Sequence, residues 1–556
     1  MSSTVADYIA CRLKQRRVTS LFGVPGVSCA EIFAAADRNG LTTVICSNDL
    51  ESGYAADGYA RMRGLSAVTA SRGPGMLSLL NAIAGAYVER SPVVVLNGGP
   101  DPMEVWKQQR FGLLASHSLG YHRADFEIFK NVTELAICLN DFDSIADRFD
   151  HAIATASCCQ RPVYIEIPKT TWLQPHPLPT SPIKHAPSSA VDEEKIVEEV
   201  KNLIVSAKNA IIILGEEVQR YRLADEVESL VAALAAPWAT TPLGKSVISE
   251  DTPNFIGIHY GVRSPQSIKA QIDKADLLLA LGCAFNFRHS DIVLSARDRM
   301  VHAYNGVVRI GDNFPRRFDF TRFISALNKR FSQKPAAHIQ EAPPPQRVRI
   351  REPQCRNSNS SGDELLTYEN AFKCINDFLD ETWIVLSDTN LSTASCLGLN
   401  VFGSNSFVSD SLWSSVGHSV AASIGVGLAS SRRPLAICGD GSLQMMVQSL
   451  STLARHGVGA LVLVLDNGIY ALEQFLLDRK YFDDPSTPPI AHLELNRWNY
   501  ISLAYSMGLK NTLLVRTTGE LQHALNTART WSGPGLIQVE ILSRDLPPEL
   551  ADRTDK

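Results

Sequence analysis

Short runs of aliphatic and β-branched residues recur along the whole chain and alternate with longer stretches of helical periodicity. The runs are TTVICS, SPVVVLNG and PVYIEIP, then AIIILG and DLLLALG, then WIVLSD, PLAICGDG, ALVLVLDN and GLIQVEI. Runs this apolar suit strands buried on both faces, which requires a parallel sheet covered by helices. Two proline-rich stretches, around 173–189 and 334–363, interrupt the alternation and read as linkers. The expectation is an α/β protein of three consecutive parallel-sheet domains, at 1–175, 190–335 and 364–556, with a linker at 336–363. Ligands of such sheets collect at the carboxyl ends of the strands, so the residues just after each run are where chemistry is sought.

Composition removes several classes of function. The 556 residues exceed a single core, 45% are hydrophobic and 20% charged, which is the balance of an ordinary globular protein. A net charge of −5 offers no long-range attraction to a polyanion, so nucleic acid is not an expected partner. The 11 cysteines form no CxxC ladder and read as reduced core thiols. The opening MSSTVADYIACRLKQRRV reads as an amphipathic helix without a signal-peptide core, and no apolar run reaches the roughly 18 residues of a membrane span. A cytoplasmic protein without membrane attachment is expected.

The strand PLAIC leads into Gly439, Asp440, Gly441 and Ser442, then a helical stretch, and the next strand ends in Asp466 and Asn467. Such a βαβ unit suits an anion: glycines admit the backbone, and the helix N-terminus directs N–H groups at it. Mg2+ prefers hard oxygen donors, and Asp440 with Asn467 supplies a carboxylate and an amide oxygen. Residues 442–466 separate the glycine-flanked Asp from Asn467, giving GDG-x25-N.

That spacing, with LWSSVGHSVAASIGVGLA, CGDGSLQMMVQSLSTLARHG and LVLDNGIYALEQ, resembles the thiamine-diphosphate enzymes, and among them pyruvate and indolepyruvate decarboxylases. The resemblance covers essentially the whole chain and implies thiamine diphosphate and Mg2+, with pyrimidine-binding, middle and diphosphate-binding domains in that order. It places the third protein ligand of the metal at the carbonyl of Ile469, a diphosphate contact at Ser442, the wedge that bends the cofactor at Val416, and the carbonyl receiving the aminopyrimidine at Ser414. Nothing in the middle piece demands FAD.

In the first piece LFGVPG, NDLESGYAADGYAR and SRGPGMLSLLNAIAGAY are similar to the pyrimidine-binding domain. The family's activating glutamate falls on Asp49, shorter by one methylene. Glu51 is two positions further along the helix and so on another face; it reads instead as the partner of Asn48 in a capping box. The resemblance also breaks near the reacting carbon. An Asp of the family is here Val27, and a His-His pair is Ser116 and His117, while the remaining carboxylate is kept as Glu473. Cys396 and Leu472 are expected near the substrate pocket.

Val27 can neither give nor take a proton. Slower protonation after loss of CO2 favours attack on a second carbonyl, so the expected function is decarboxylation of a small 2-oxo acid with carboligation to an aldehyde or ketone, giving an acyloin-type product. A plain decarboxylase releasing aldehyde is the alternative, and a weakly active cofactor-binding paralogue is a further one. The family's two-domain site implies a homodimer or homotetramer with active sites at subunit interfaces.

Overall fold

The computed structural model describes residues 3–140, 144–183, 193–332 and 364–551, so the whole of the second proline-rich stretch, including the expected linker 336–363, lies outside the described residues. The chain forms two compact units. The first comprises Met1–Pro187 with Val420–Ser431 and Met446–Ala460; the second holds the remainder.

The sheet of the first unit contains β1 (Ser20–Gly23), β2 (Thr42–Ile45), β3 (Ser66–Ala70), β4 (Val93–Gly99), β5 (Leu135–Cys138) and β6 (Val163–Pro168). They run parallel in the order β2-β1-β3-β4-β6-β5. Strands β3, β4 and β6 are buried throughout, as largely apolar strands covered by helices on both faces should be.

The helix Asp49–Arg63 is buried along nearly its whole length. It begins in the expected capping box: Asn48 Oδ1 accepts from Glu51 N at 2.8 Å, and Glu51 Oε2 accepts from Ser47 N at 2.7 Å and Asn48 N at 3.3 Å. It ends at Gly64, whose φ of +81° is the left-handed cap that glycine allows. Against its inner face lies the helix His418–Ala429, and only glycines permit the approach. A Cβ on Gly425 would stand 1.8 Å from the carbonyl oxygen of Ala55, and one on Gly58 2.3 Å from that of Ala422.

In the second unit the middle sheet contains β7 (Ala210–Leu214), β8 (Trp238–Thr240), β9 (Phe255–Ile258), β10 (Leu277–Leu281), β11 (Met300–Tyr304), β12 (Val307–Ile310) and β13 (Arg316–Arg317), in the order β13-β12-β11-β10-β7-β8-β9. It is parallel except at one edge, where β12 and β13 run antiparallel. Asn305 and Gly306, at φ +55° and +71°, form the hairpin turn that reverses the chain.

The last sheet contains β14 (Trp383–Ser387), β15 (Phe407–Ser409), β16 (Arg433–Gly439), β17 (Leu461–Asp466), β18 (Asn511–Val515) and β19 (Gly535–Glu540). It is wholly parallel, in the order β15-β14-β16-β17-β19-β18.

Six of the ten described cysteines are buried. Cys158 is exposed, against the expectation of core thiols throughout. Among the described residues no helix is long and apolar enough to cross a membrane.

Candidate functional site

Strands β16 and β17 are neighbours, and their register sets Gly439 opposite Leu465. The residues that follow each strand therefore emerge side by side, which brings Asp440 next to the turn of Asn467 and Gly468 although 27 positions separate Asp440 from Asn467. The Asp440 carboxylate receives Gly441 N at 2.8 Å on Oδ1 and Gly468 N at 2.7 Å on Oδ2. It is 4% exposed, and burial, with the Asp466 carboxylate beside it, pushes its pKa up.

Asn467 donates from Nδ2 to the Tyr368 hydroxyl at 3.0 Å, and its Oδ1 accepts from Ile469 N at 3.2 Å. The Ile469 carbonyl accepts from Ala471 N at 2.8 Å, which leaves its second lone pair. Glycine is required at two points of this turn system. Gly468 sits at φ +75° with any Cβ 2.4 Å from the Arg497 guanidinium, and a Cβ on Gly441 would lie 2.7 Å from the Tyr470 ring.

These groups open on a cavity of about 120 Å3 lined by Val416, Gly439, Asp440, Gly441, Ser442, Asn467, Ile469, Leu472 and Glu473, with Tyr368, Thr389 and Asn390. The donor set fits a metal held with a diphosphate. It offers one buried carboxylate, one amide oxygen and one main-chain carbonyl, all hard oxygens suited to Mg2+. Among the described residues no three His, Cys, Asp or Glu side chains converge to hold an ion unaided, so the remaining positions would fall to phosphate oxygens. A cation there would also answer the buried charge of Asp440.

The turn carrying Ser414 and Val416 is fixed by two aspartates that the sequence reading passed over. Asp388, 1% exposed at the end of β14, accepts Gly417 N on Oδ1 at 2.9 Å, and Ser419 N and Oγ on Oδ2 at 2.9 and 2.8 Å. Asp410 accepts Ser414 N on its carbonyl at 2.8 Å and Ser415 N on its carboxylate at 2.7 Å. The run WIVLSD ends in Asp388, so the rule of looking after each strand would have found it. Val416 lines the cavity; Ser414 does not, and holds a left-handed φ of +62°. Leu472 lines the cavity, and Cys396 is buried in the core close to Tyr368, one of the lining residues.

In the first unit Asp49 is the first residue of its helix, half-buried, and a Cβ on Gly75 would stand 3.4 Å from both its carboxylate oxygens. Burial raises its pKa above the ordinary aspartate value. Val27 is 77% exposed. Ser116 presents its carbonyl to Arg72 Nη2 at 3.2 Å, and Arg72 is in turn clamped by Glu104 at 2.6 Å. His117 adopts φ +63° with its carbonyl 2.4 Å from where a Cβ of Gly73 would lie, and it lines a cavity of about 30 Å3 with Arg72, Glu104, Asp125 and Glu166. Asp49, Val27 and Ser116 do not line that cavity.

Comparison of the sequence with known proteins identifies relatives along most of the chain. Three models of the thiamine pyrophosphate enzymes match in order: the N-terminal TPP binding domain over residues 3–111, the central domain over 197–327 and the C-terminal TPP binding domain over 390–539. Among curated relatives, a pyruvate decarboxylase of Aspergillus terreus is 29% identical, covering 98% of this chain and 95% of that protein. Pyruvate decarboxylase isozyme 1 of Saccharomyces cerevisiae is 29% identical over 93% of this chain and 91% of its own length. A pyruvate decarboxylase of Kluyveromyces lactis is 28% identical, with 98% and 97% covered.

Proposed function

The chain belongs to the thiamine pyrophosphate enzyme family, and from that membership we propose that it removes CO2 from a small, pyruvate-like 2-oxo acid and joins the remaining carbon to an aldehyde or ketone. Thiamine-diphosphate-dependent decarboxylation of a 2-oxo acid is the lyase activity on which the family and the relatives agree. Bound thiamine diphosphate would supply the electron sink for the pair left on the carbon when CO2 departs, and a divalent metal, typically Mg2+, would neutralise its diphosphate.

The chain's own residues divide the remaining work. Asp440, the Asn467 amide oxygen and the Ile469 carbonyl hold the metal, and Ser442 and the flanking glycines take the diphosphate. Val416 shapes the cofactor's bend and the Ser414 carbonyl orients its aminopyrimidine, while Asp49 supplies the activating carboxylate to the pyrimidine. Glu473 and His117 move protons at the substrate, and Ser116 stands where a second histidine would. Homodimers or homotetramers would complete each site across a subunit interface.

The observation that carries carboligation is Val27: 77% exposed, it has no proton to deliver where the family places an acid. A carbon that is protonated slowly stays nucleophilic long enough to meet a carbonyl acceptor. Incubation with thiamine diphosphate, Mg2+ and a panel of 2-oxo acids, with and without aldehyde acceptors, tests this by measuring CO2, free aldehyde and ligated product separately. CO2 matched one-for-one by aldehyde in the presence of acceptor would reduce the enzyme to a plain decarboxylase. CO2 from none of the acids would leave a cofactor-binding paralogue.

A further inference from the structure

Glu166 lies near the carboxyl end of β6, where only 5% of it is exposed, and lines the cavity that also holds His117. A directed chain of hydrogen bonds reaches it. The Asp125 carboxylate accepts Gly73 N at 2.7 Å and Asn97 Nδ2 at 3.2 Å, which fixes the amide's orientation. Asn97 Nδ2 also donates to the Tyr164 oxygen at 2.6 Å, so the phenolic hydrogen is directed to Glu166 Oε2 at 2.9 Å. Oε2 is thereby committed as an acceptor, and a proton bound by Glu166 resides on Oε1.

The same chain begins at Gly73, whose Cα packs on the main chain of His117. The anchor of the network and the imidazole's backbone are thus one rigid contact. The cavity of about 30 Å3 has room for a water or two, since each needs roughly 10–15 Å3.

We propose that Glu166 is a positioning and proton-storing residue for His117, exchanging a proton with its imidazole through water in their shared cavity. This rests on the reading of His117 as a group that moves protons at the substrate. In the forward step the imidazole gives its proton to the substrate; the Glu166 carboxyl then releases its proton to the bridging water, which passes one to the imidazole. The carboxylate left behind is reprotonated from solvent, and no other reactant is needed.

The charge surroundings suit a store that works near neutrality. Burial is the largest influence on Glu166 and the Asp125 carboxylate adds to it, together raising its pKa to about 7. Arg123 and Arg72 oppose them, and Tyr164 donates its hydrogen bond. The cavity wall also carries Glu104, His117 and His122, and Cys138 of β5 lies beside Glu166. Among the described residues no lysine or arginine forms an ion pair with Glu166.

The test compares wild type with Glu166→Gln, which keeps an acceptor for Tyr164, and Glu166→Asp, which keeps the acid. With a 2-oxo acid turned over by the holoenzyme, Glu166→Gln should lower kcat on the order of 10- to 100-fold with KM little changed, and erase the inflection near pH 7. Glu166→Asp should restore part of both. Independently of turnover, the carboxyl resonance of Glu166 in glutamate-labelled protein should show a step near pH 7 that moves when His117 is replaced in His117→Gln. A Glu166 step that stays in place in His117→Gln, or an unchanged pH profile in an active enzyme, overturns the proposal. A wild type inactive on every 2-oxo acid defeats the functional reading instead, and the resonance then still decides whether Glu166 and His117 share a proton.

Discussion

Asp49 and Glu51 sit two positions apart at the start of one helix, both acidic and both pushed up in pKa by burial, yet their contacts assign them different work. Glu51 is fully buried and its Oε2 holds the Ser47 and Asn48 N–H groups. Glu51→Ala removes the returning half of the capping box, worth about 1 kcal/mol. Hydrogen exchange through the helix Asp49–Arg63 should therefore quicken by a factor of about five or less, with most turnover kept.

Asp49→Asn preserves shape and removes the charge proposed to activate the pyrimidine, so kcat should fall by roughly 10²–10⁴. Its stability should move the other way. A carboxylate whose folded pKa is raised favours folding at low pH and loses that advantage as pH climbs from the ordinary aspartate value of 3.8 through the raised folded value. The asparagine cannot ionise, so above that window the variant should melt no lower than wild type. Paired melting and steady-state assays at pH 7 decide the matter. An active Asp49→Asn, or a well-folded Glu51→Ala without activity, would refute the division of roles.

Other outcomes follow from the same coordinates. Asp440→Ala should abolish tight binding of thiamine diphosphate with Mg2+ in calorimetry, because the remaining donors are neutral; wild-type affinity would remove the metal assignment. Ser414→Gly, at φ +62°, should raise stability by about 1 kcal/mol in chemical denaturation, since only the serine bears the left-handed penalty. Gly425→Ala sets a methyl group 1.8 Å from the Ala55 carbonyl oxygen and should destabilise by at least the roughly 1–3 kcal/mol of overpacking, visible as a lowered midpoint. Val27→Asp should raise the ratio of free aldehyde to ligated product by chromatography; an unchanged ratio would detach this position from protonation.

What was legible from sequence was whatever the chain writes locally. The apolar runs gave the strands, and GDG-x25-N placed Asp440 and Asn467 on neighbouring strands because a single helical crossover joins them. The capping box was legible because its partners are three residues apart. Asp388 stands just after a strand, where it could have been found, but its role could not be read, because its bonds to Gly417 and Ser419 span about thirty residues, beyond any periodicity. Glu166 was hidden in the same way, by partners on β4, on its own strand and in the helix Ala124–Phe129. The antiparallel edge could have been found, since Asn305-Gly306 is a strong hairpin signal.

The glycine crossing between Asp49–Arg63 and His418–Ala429 bears on how the protein is made. The first unit closes only when Val420–Ser431 and Met446–Ala460 arrive, so its contiguous part, complete at Pro187, must wait while roughly 270 further residues are synthesised. At about 5–20 residues per second this takes on the order of 15–55 s, long compared with helix or hairpin formation. Until Val420–Ser431 emerges, the groove around Ala55 and Gly58 stays open on the nascent chain. The ribosome-bound intermediate is accordingly the form of this protein most in need of a chaperone, and an excised 1–187 fragment would keep that need permanently.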